Sequence, residues 1–167
     1  MEIVCLGINH QTAPVEVRER FAVSESKLGE EAKCLRELDG IEEGVVLSTC
    51  NRTEYYAAAE DHRTAREQLR TFLQAHARER LRAEHLYELT RADAARHLCR
   101  VVSGLDSMVL GETEIFGQVK KAYQAALESG STSRTLNKLF QKAFGVGKKV
   151  RSHTGIQEGQ TSVGSVA

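Results

Sequence analysis

Val45-Val46-Leu47-Ser48-Thr49-Cys50-Asn51-Arg52-Thr53-Glu54-Tyr55-Tyr56-Ala57-Ala58-Ala59 is the stretch that decides the fold. Its first three residues are a short apolar run, Ser48 to Arg52 is a polar knot, and Thr53, Tyr55, Ala57 and Ala59 then alternate with polar Glu54 and Glu60. That pattern is strand, tight connection, strand. Upstream, Ile3 to Ile8 reads as a buried strand. Ser24 reads as the N-cap of a helix carrying Leu28, Ala32, Leu35 and Leu38, and Gly40 and Gly44 bracket a turn. Downstream, Ala65, Leu69, Phe72, Leu73 and His76 share a helical face, and Leu86 to Thr90, with Tyr87 and Leu89, reads as a last strand. The order β-α-β-β-α-β predicts an α+β, ferredoxin-like sandwich over residues 1–90, with helices on one face of an antiparallel sheet.

Beyond residue 90 the period is helical. Ala94, Leu98, Val101, Val102 and Leu105 form one stripe, Ile115, Val119, Ala122, Tyr123 and Ala126 a second, and Leu136, Phe140, Ala143 and Val150 a third. Residues 91–153 are thus expected to be a helical part of the same domain. Residues 154–167, with Gly155, Gly159 and Gly164, read as a linker or the truncated start of a next domain.

Composition sets the class. The chain has 167 residues, 41% hydrophobic and 28% charged, with 23 Lys+Arg against 23 Asp+Glu. A chain of this length buries roughly 70% of the surface its unfolded form exposes, so it needs no disulfide staples. Cys5, Cys34, Cys50 and Cys99 have no close spacing of a metal knuckle or redox pair, so free thiols and no metal site are expected. The N-terminal apolar run is too short for a signal peptide, and no stretch approaches a membrane span. A reducing cytoplasm, without membrane contact, is the expected setting.

The polar knot is where chemistry is expected. Cys50 lies between Thr49, Asn51 and Arg52, and a neighbouring cation raises the thiolate fraction that attacks carbonyls. The alternative is that Cys50, like Cys5 and Cys34, is a small buried hydrophobe. His97 borders a buried stripe just before the polar, glycine-containing segment Ser103 to Gln118; a packed or capping histidine is its bland reading. Gly145-Val146-Gly147 lies inside a helical period and follows no strand, so no dinucleotide cradle is expected here. Residues 129–157 hold no acid. Arg134, Lys138 and Lys142, at i, i+4 and i+8, form one basic face, with Lys148, Lys149 and Arg151 further along. Such a face suits RNA phosphates, and equally a solvated surface.

Three motifs are more specific than this physics. Gly7-Ile8-Asn9-His10-Gln11-Thr12-Ala13-Pro14, Leu47-Ser48-Thr49-Cys50-Asn51-Arg52-Thr53-Glu54 and Gly104-Leu105-Asp106-Ser107-Met108-Val109-Leu110-Gly111-Glu112 resemble glutamyl-tRNA reductase, in the right order. Phe140-Gln141-Lys142-Ala143-Phe144 and Lys148-Lys149-Val150-Arg151 resemble the helices that close that family's N-terminal catalytic domain. The resemblance implies a cysteine, matching Cys50, that displaces tRNA from its glutamyl ester, assisted by a histidine matching His97. NADPH then reduces the thioester to glutamate-1-semialdehyde for tetrapyrrole and heme synthesis. It implies Arg52 as the clamp on the substrate carboxylate and Thr49, Asn51, Ser107 and Gln118 as further substrate contacts, with Glu54 or Glu112 left open as acceptor for the α-amino group. Thr113 and Glu114 depart from the family's Pro-Gln at the same pocket.

By the same resemblance the full-length family is a homodimer that uses NADPH and hands its product to a downstream aminomutase. This chain alone is expected to bind no cofactor, to be monomeric and to act as an esterase on glutamyl-tRNA. A non-catalytic paralogue or regulatory module holding glutamyl-tRNA or a heme-pathway partner is the rival reading. Heme sensing through Cys5, His10 or Cys99 has ligand types but no spacing behind it.

Overall fold

Arg52–Ala59 is buried at every position, so this strand must be covered on both faces. In the computed structural model, which describes residues 1–76 and 82–157, two neighbouring tyrosines show how. Tyr55 meets Phe72 edge-on on one side of the sheet, and Tyr56 meets Phe140 edge-on on the other. The strands are β1 (Glu2–Asn9), β2 (Ile41–Ser48), β3 (Arg52–Ala59) and β4 (Tyr87–Thr90), in the sheet order β2-β3-β1-β4 with every pairing antiparallel. The helices are α1 (Val15–Phe21), α2 (Leu28–Arg36), α3 (His62–His76), α4 (Arg91–Val102), α5 (Glu114–Glu128) and α6 (Arg134–His153). Residues 1–90 thus run β-α-β-β-α-β apart from the added helix α1.

The helices divide between the two faces: within residues 1–90, α2 and α3 both meet the Tyr55 face, and α6 brings Phe140 onto the Tyr56 face, so the C-terminal helical segment completes a three-layer core. This is why β3 carries no solvent-facing residue and why its alternation hides two charged side chains, Arg52 and Glu54, inside the molecule.

Local readings also shift. Gly40, with φ of 74°, makes the turn, but Gly44 lies within β2, where a Cβ would stand 2.8 Å from the Leu35 Cβ; the glycine lets α2 approach the sheet. Ser24 precedes a single 3-10 turn, Glu25–Lys27, before α2 begins at Leu28, and its side chain caps no backbone N–H. Leu105 falls past the end of α4 and is 38% exposed. The seven-residue helix α1 is too short to show a period. It is launched by Asn9, whose Oδ1 accepts from the Gln11 and Thr12 amides at 2.9 and 3.1 Å, and by Pro14 at its N-cap. Gly155–Gln157 forms a 3-10 turn, and the rest of the expected linker lies outside the described residues.

The C-terminal layer is pinned to the sheet by one buried carboxylate. Glu43, 2% exposed, accepts from the Ser133, Thr135 and Leu136 amides at 2.8, 2.9 and 2.8 Å, capping α6 from another element. Glu43→Ala is expected to lower stability by about 2–3 kcal/mol, because buried donors lose a charged acceptor. Chemical denaturation should show a lower midpoint with an unchanged slope; an unchanged midpoint would mean that water replaces the cap.

Candidate active site

The link between β2 and β3 is a closed turn with the thiol at its tip. The Thr49 amide donates to the Arg52 carbonyl at 2.8 Å, and the Asn51 and Arg52 amides both donate to Thr49 Oγ1 at 3.2 Å. Cys50 is thereby left exposed, whereas Cys5 is buried and Cys34 and Cys99 are partly so. From β1, the His10 amide donates to the Asn51 carbonyl at 2.9 Å and fixes the turn from the side.

Immediately behind the turn lies a dry charge cluster. Glu54, fully buried, accepts at Oε1 from Arg52 Nη1 (2.7 Å), the Tyr87 hydroxyl (2.6 Å) and His97 Nε2 (2.8 Å), and at Oε2 from the Tyr56 hydroxyl (2.5 Å). Burial pushes the Glu54 carboxyl up, but the Arg52 charge and the His97 and Tyr56 hydrogen bonds outweigh it and hold the group well below the usual carboxylate range. Burial works equally against the Arg52 cation, and Glu54 again prevails, so its guanidinium is held above its ordinary value. Both partners shift toward the ionised pair, so Arg52 and Glu54 stay charged at neutral pH.

His97 is brought from α4 to this cluster, half-buried, its ring 5.3 Å from that of Tyr87. With Nε2 on Glu54, its Nδ1 faces Asp106 Oδ2 at 3.5 Å, longer than an ordinary hydrogen bond. Asp106 belongs to a loop closed by two glycines at φ of 77° and 79°, Gly104 and Gly111, the Gly111 amide donating to the Gly104 carbonyl at 3.0 Å. Arg52 Nη2 ties that loop to β3 through the Asp106 carbonyl at 2.6 Å.

The remaining expected residues divide. Ser107 and Glu112 sit on the same loop, where the Ser107 hydroxyl bonds the Glu112 carboxyl; burial first and Glu114 next push that carboxyl up. Thr113 is the N-cap of α5, Glu114 its exposed first residue, and Gln118 is half-buried one turn on. Glu54, considered from sequence as an acceptor for a substrate amine, has no capacity left: it is dry and already bound by four donors. Arg134, Lys138 and Lys142 line a surface cavity of about 580 Å³ together with Ile3 and Leu139, and Lys148 and Lys149 are exposed. Arg151 leaves that set. It stacks 5.2 Å from the Phe116 ring centroid and donates to the Glu112 carbonyl at 3.1 Å, bracing the Asp106 loop.

Sequence reasoning missed Asp106, Tyr56 and Tyr87 as members of this site. The available signal was Arg52 and Glu54 at i and i+2, which a strand places on one face as opposite charges.

The cluster is poorly suited to a metal ion. Ligand atoms of Cys5, Glu54 and His97 lie within 4.8 Å of one another, but burial and the Glu54 charge push the Cys5 thiol up and Glu54 is already saturated. A dinucleotide finds no cradle at Gly145-Val146-Gly147 either. These residues lie within α6, where a Cβ on Gly147 would stand 2.7 Å from Val102 Cγ1, so this glycine serves helix packing.

An α+β domain that presents a thiol on a turn against a buried charge cluster defines a class of candidate acyl-transfer sites. The family model described as "Glutamyl-tRNAGlu reductase, N-terminal domain" matches residues 6–154, and the chain belongs to that family. It is 56% identical to glutamyl-tRNA reductase of Akkermansia muciniphila, covering 100% of this chain and 49% of the relative, and 46% identical to glutamyl-tRNA reductase 2 of Koribacter versatilis, covering 100% and 38%. The solved structure of glutamyl-tRNA reductase from Methanopyrus kandleri superposes with a TM-score of 0.77 at 34% identity, covering 98% of this chain and 37% of that one. The chain therefore spans half or less of the length of these relatives.

Proposed function

We propose that this domain carries the acyl-transfer half of a glutamyl-tRNA reductase, with Cys50 as acceptor of the glutamyl group. The observation that carries the reading is the exposed Cys50 thiol on a hydrogen-bonded turn whose next residue but one, Arg52, anchors the buried Glu54 and His97 cluster. The sulfur gives up its S–H proton and attacks the ester carbonyl carbon, the carbon–oxygen bond to the tRNA ribose breaks, and a proton is returned to the departing oxygen, so that thiol and ester become thioester and free hydroxyl. His97 is the proposed donor. Glu54 occupies its Nε2, so Nδ1 is the atom available to the leaving oxygen.

Arg52 remains the proposed clamp for the substrate γ-carboxylate. Two of its five N–H donors are taken by Glu54 and the Asp106 carbonyl, and the guanidinium is 2% exposed, so pairing with a substrate carboxylate requires that the Asp106 carbonyl give up Nη2. Thr49, Asn51, Ser107 and Gln118 are proposed neutral contacts, and Thr113 and Glu114 the rim of the pocket.

The element and strand orders support reading residues 1–90 as a ferredoxin-like sandwich, with residues 91–153 as the helical part of the same domain. NADPH serves the full-length family by resemblance, as the source of hydride. A cytoplasmic setting, a homodimer of the full-length protein and hand-over to an aminomutase rest on the same resemblance; among the described residues no helix is long and apolar enough to cross a membrane.

Incubating the domain with glutamyl-tRNA and NADPH is expected to yield glutamate by slow hydrolysis of the thioester and no semialdehyde. Semialdehyde formation would contradict the assignment of this domain to acyl transfer alone, and uncleaved glutamyl-tRNA would favour a binding module. The basic face of α6 is proposed to meet tRNA phosphates. Replacing Arg134, Lys138 and Lys142 together by glutamate should weaken tRNA binding on the order of tenfold or more, and the salt slope should flatten by about 0.7–0.9 for each phosphate no longer neutralised. Identical binding isotherms would reduce that face to a solvated surface.

A further inference from the structure

Arg134, Lys138 and Lys142 follow one another at single helical turns on α6, a row about 12 Å long. Among the described residues none of the three has a hydrogen-bond or ion-pair partner. They border the cavity of about 580 Å³ whose apolar lining is Met1, Ile3 and Leu139, a volume within the range of small-ligand pockets. The carboxylate in its wall, Glu43, is buried and already engaged by the Ser133, Thr135 and Leu136 amides. Attraction for an anion therefore lies in the three side-chain cations and not in the helix N-terminus. The Thr135 hydroxyl, also in the lining, donates to the Met1 sulfur at 3.3 Å, a weak acceptor. The cavity is remote from Cys50. Asn9 pairs with Arg52 beside the turn, and Ile3 lies six residues earlier on β1, about 20 Å away.

We propose that this cavity is a nucleotide site, with phosphate on the Arg134, Lys138 and Lys142 row and the base against Met1, Ile3 and Leu139. The inference deepens the reading of the α6 face as one that meets tRNA phosphates, and it does not depend on the role of Cys50. Two features select the ligand. A row of about 12 Å spans roughly three nucleotides at 3.4 Å along one strand, whereas a lone carboxylate leaves most of it unpaired. Apolar side chains beside the row add nothing to phosphate binding, but they suit the face of an unpaired base turned out of its stack. A ribose hydroxyl is a better acceptor for Thr135 than the Met1 sulfur it now meets. An unpaired nucleotide of tRNA and a free nucleotide share this chemistry.

The chain has two methionines, and their methyl NMR signals report separately: Met1 lines the cavity and Met108 lies on the Asp106 loop. Titrating the 167-residue chain with AMP and with UMP is expected to move the Met1 signal and leave Met108 in place. At least one of the two should saturate at a concentration about fivefold or more below that of ribose 5-phosphate, as for contact with one base. Replacing Arg134, Lys138 and Lys142 together by glutamine should abolish the Met1 shift. No Met1 shift with either nucleotide, equal saturation by nucleotides and ribose 5-phosphate, or movement of Met108 alone would overturn the proposal. Saturating nucleotide added to bound tRNA identifies the source. Displacement of tRNA points to one of its own nucleotides and simultaneous binding to a free one, and either result sustains the site. The two readings of α6 fail separately. A glutamine variant that binds tRNA less tightly, beside a wild type that does not tell nucleotide from ribose 5-phosphate, keeps the phosphate face and removes the base site. A variant that loses nucleotide but binds tRNA like wild type does the reverse.

Discussion

Glu54→Ala is expected to cost about 3–5 kcal/mol of folding free energy, the range for removing one member of a buried ion pair. The loss arises mainly from what is left behind. Arg52, 2% exposed, keeps a charge with no counter-charge, and the Tyr56, Tyr87 and His97 donors lose the acceptor they share. Glu54→Gln keeps the shape and part of the hydrogen bonding and should fall between wild type and alanine. The same pair governs acid stability. The Glu54 carboxyl is held below its ordinary 4.5, so its contribution is complete above that pH and is lost as pH falls below it. In Glu54→Gln the stability lost below that point should shrink, which denaturation at a series of pH values will show. An alanine variant as stable as wild type would mean that water enters and solvates Arg52.

Cys50→Ser is expected to abolish acyl transfer, by at least about 1,000-fold, while leaving stability within about 0.5 kcal/mol of wild type. The two halves of this prediction have separate causes. A serine hydroxyl is almost wholly protonated at neutral pH, whereas a thiol supplies some thiolate. Cys50 is exposed at a turn whose bonds run through Thr49, Asn51 and Arg52, so one sulfur-to-oxygen change removes little packing. Loss of ester cleavage together with loss of stability would shift the role of Cys50 from chemistry to folding.

Much of the scaffold was legible because the periods are clean. The alternation after Arg52 and the helical stripes from Ala94 onward correspond to β3, α4, α5 and α6. Helix α1 was not legible, because seven residues with a few apolar positions carry no readable period. Nor was the cover on the second face of the sheet, which depends on Tyr56 meeting Phe140 far along the chain.

At the candidate site the polar turn around Cys50 announced itself locally, but its support comes from long range. Glu54 receives Tyr87 from 33 residues away and His97 from 43, pairings that only the β1–β4 register and the start of α4 create. Arg151 shows the converse. Its charge reads as part of a basic face, yet its position in the last turn of α6 turns it inward onto Phe116 and onto the Val102 and Glu112 carbonyls on either side of the Asp106 loop.

Whether Cys50 is the acyl acceptor is decided by peptide mass spectrometry of the domain after brief, acid-quenched incubation with labelled glutamyl-tRNA. A hydroxylamine-labile glutamyl adduct is expected on the peptide containing Cys50 and is expected to be absent from Cys50→Ser. Label on Cys34 or Cys99 instead, or an unmodified Cys50 while the ester is cleaved, would remove Cys50 from that role.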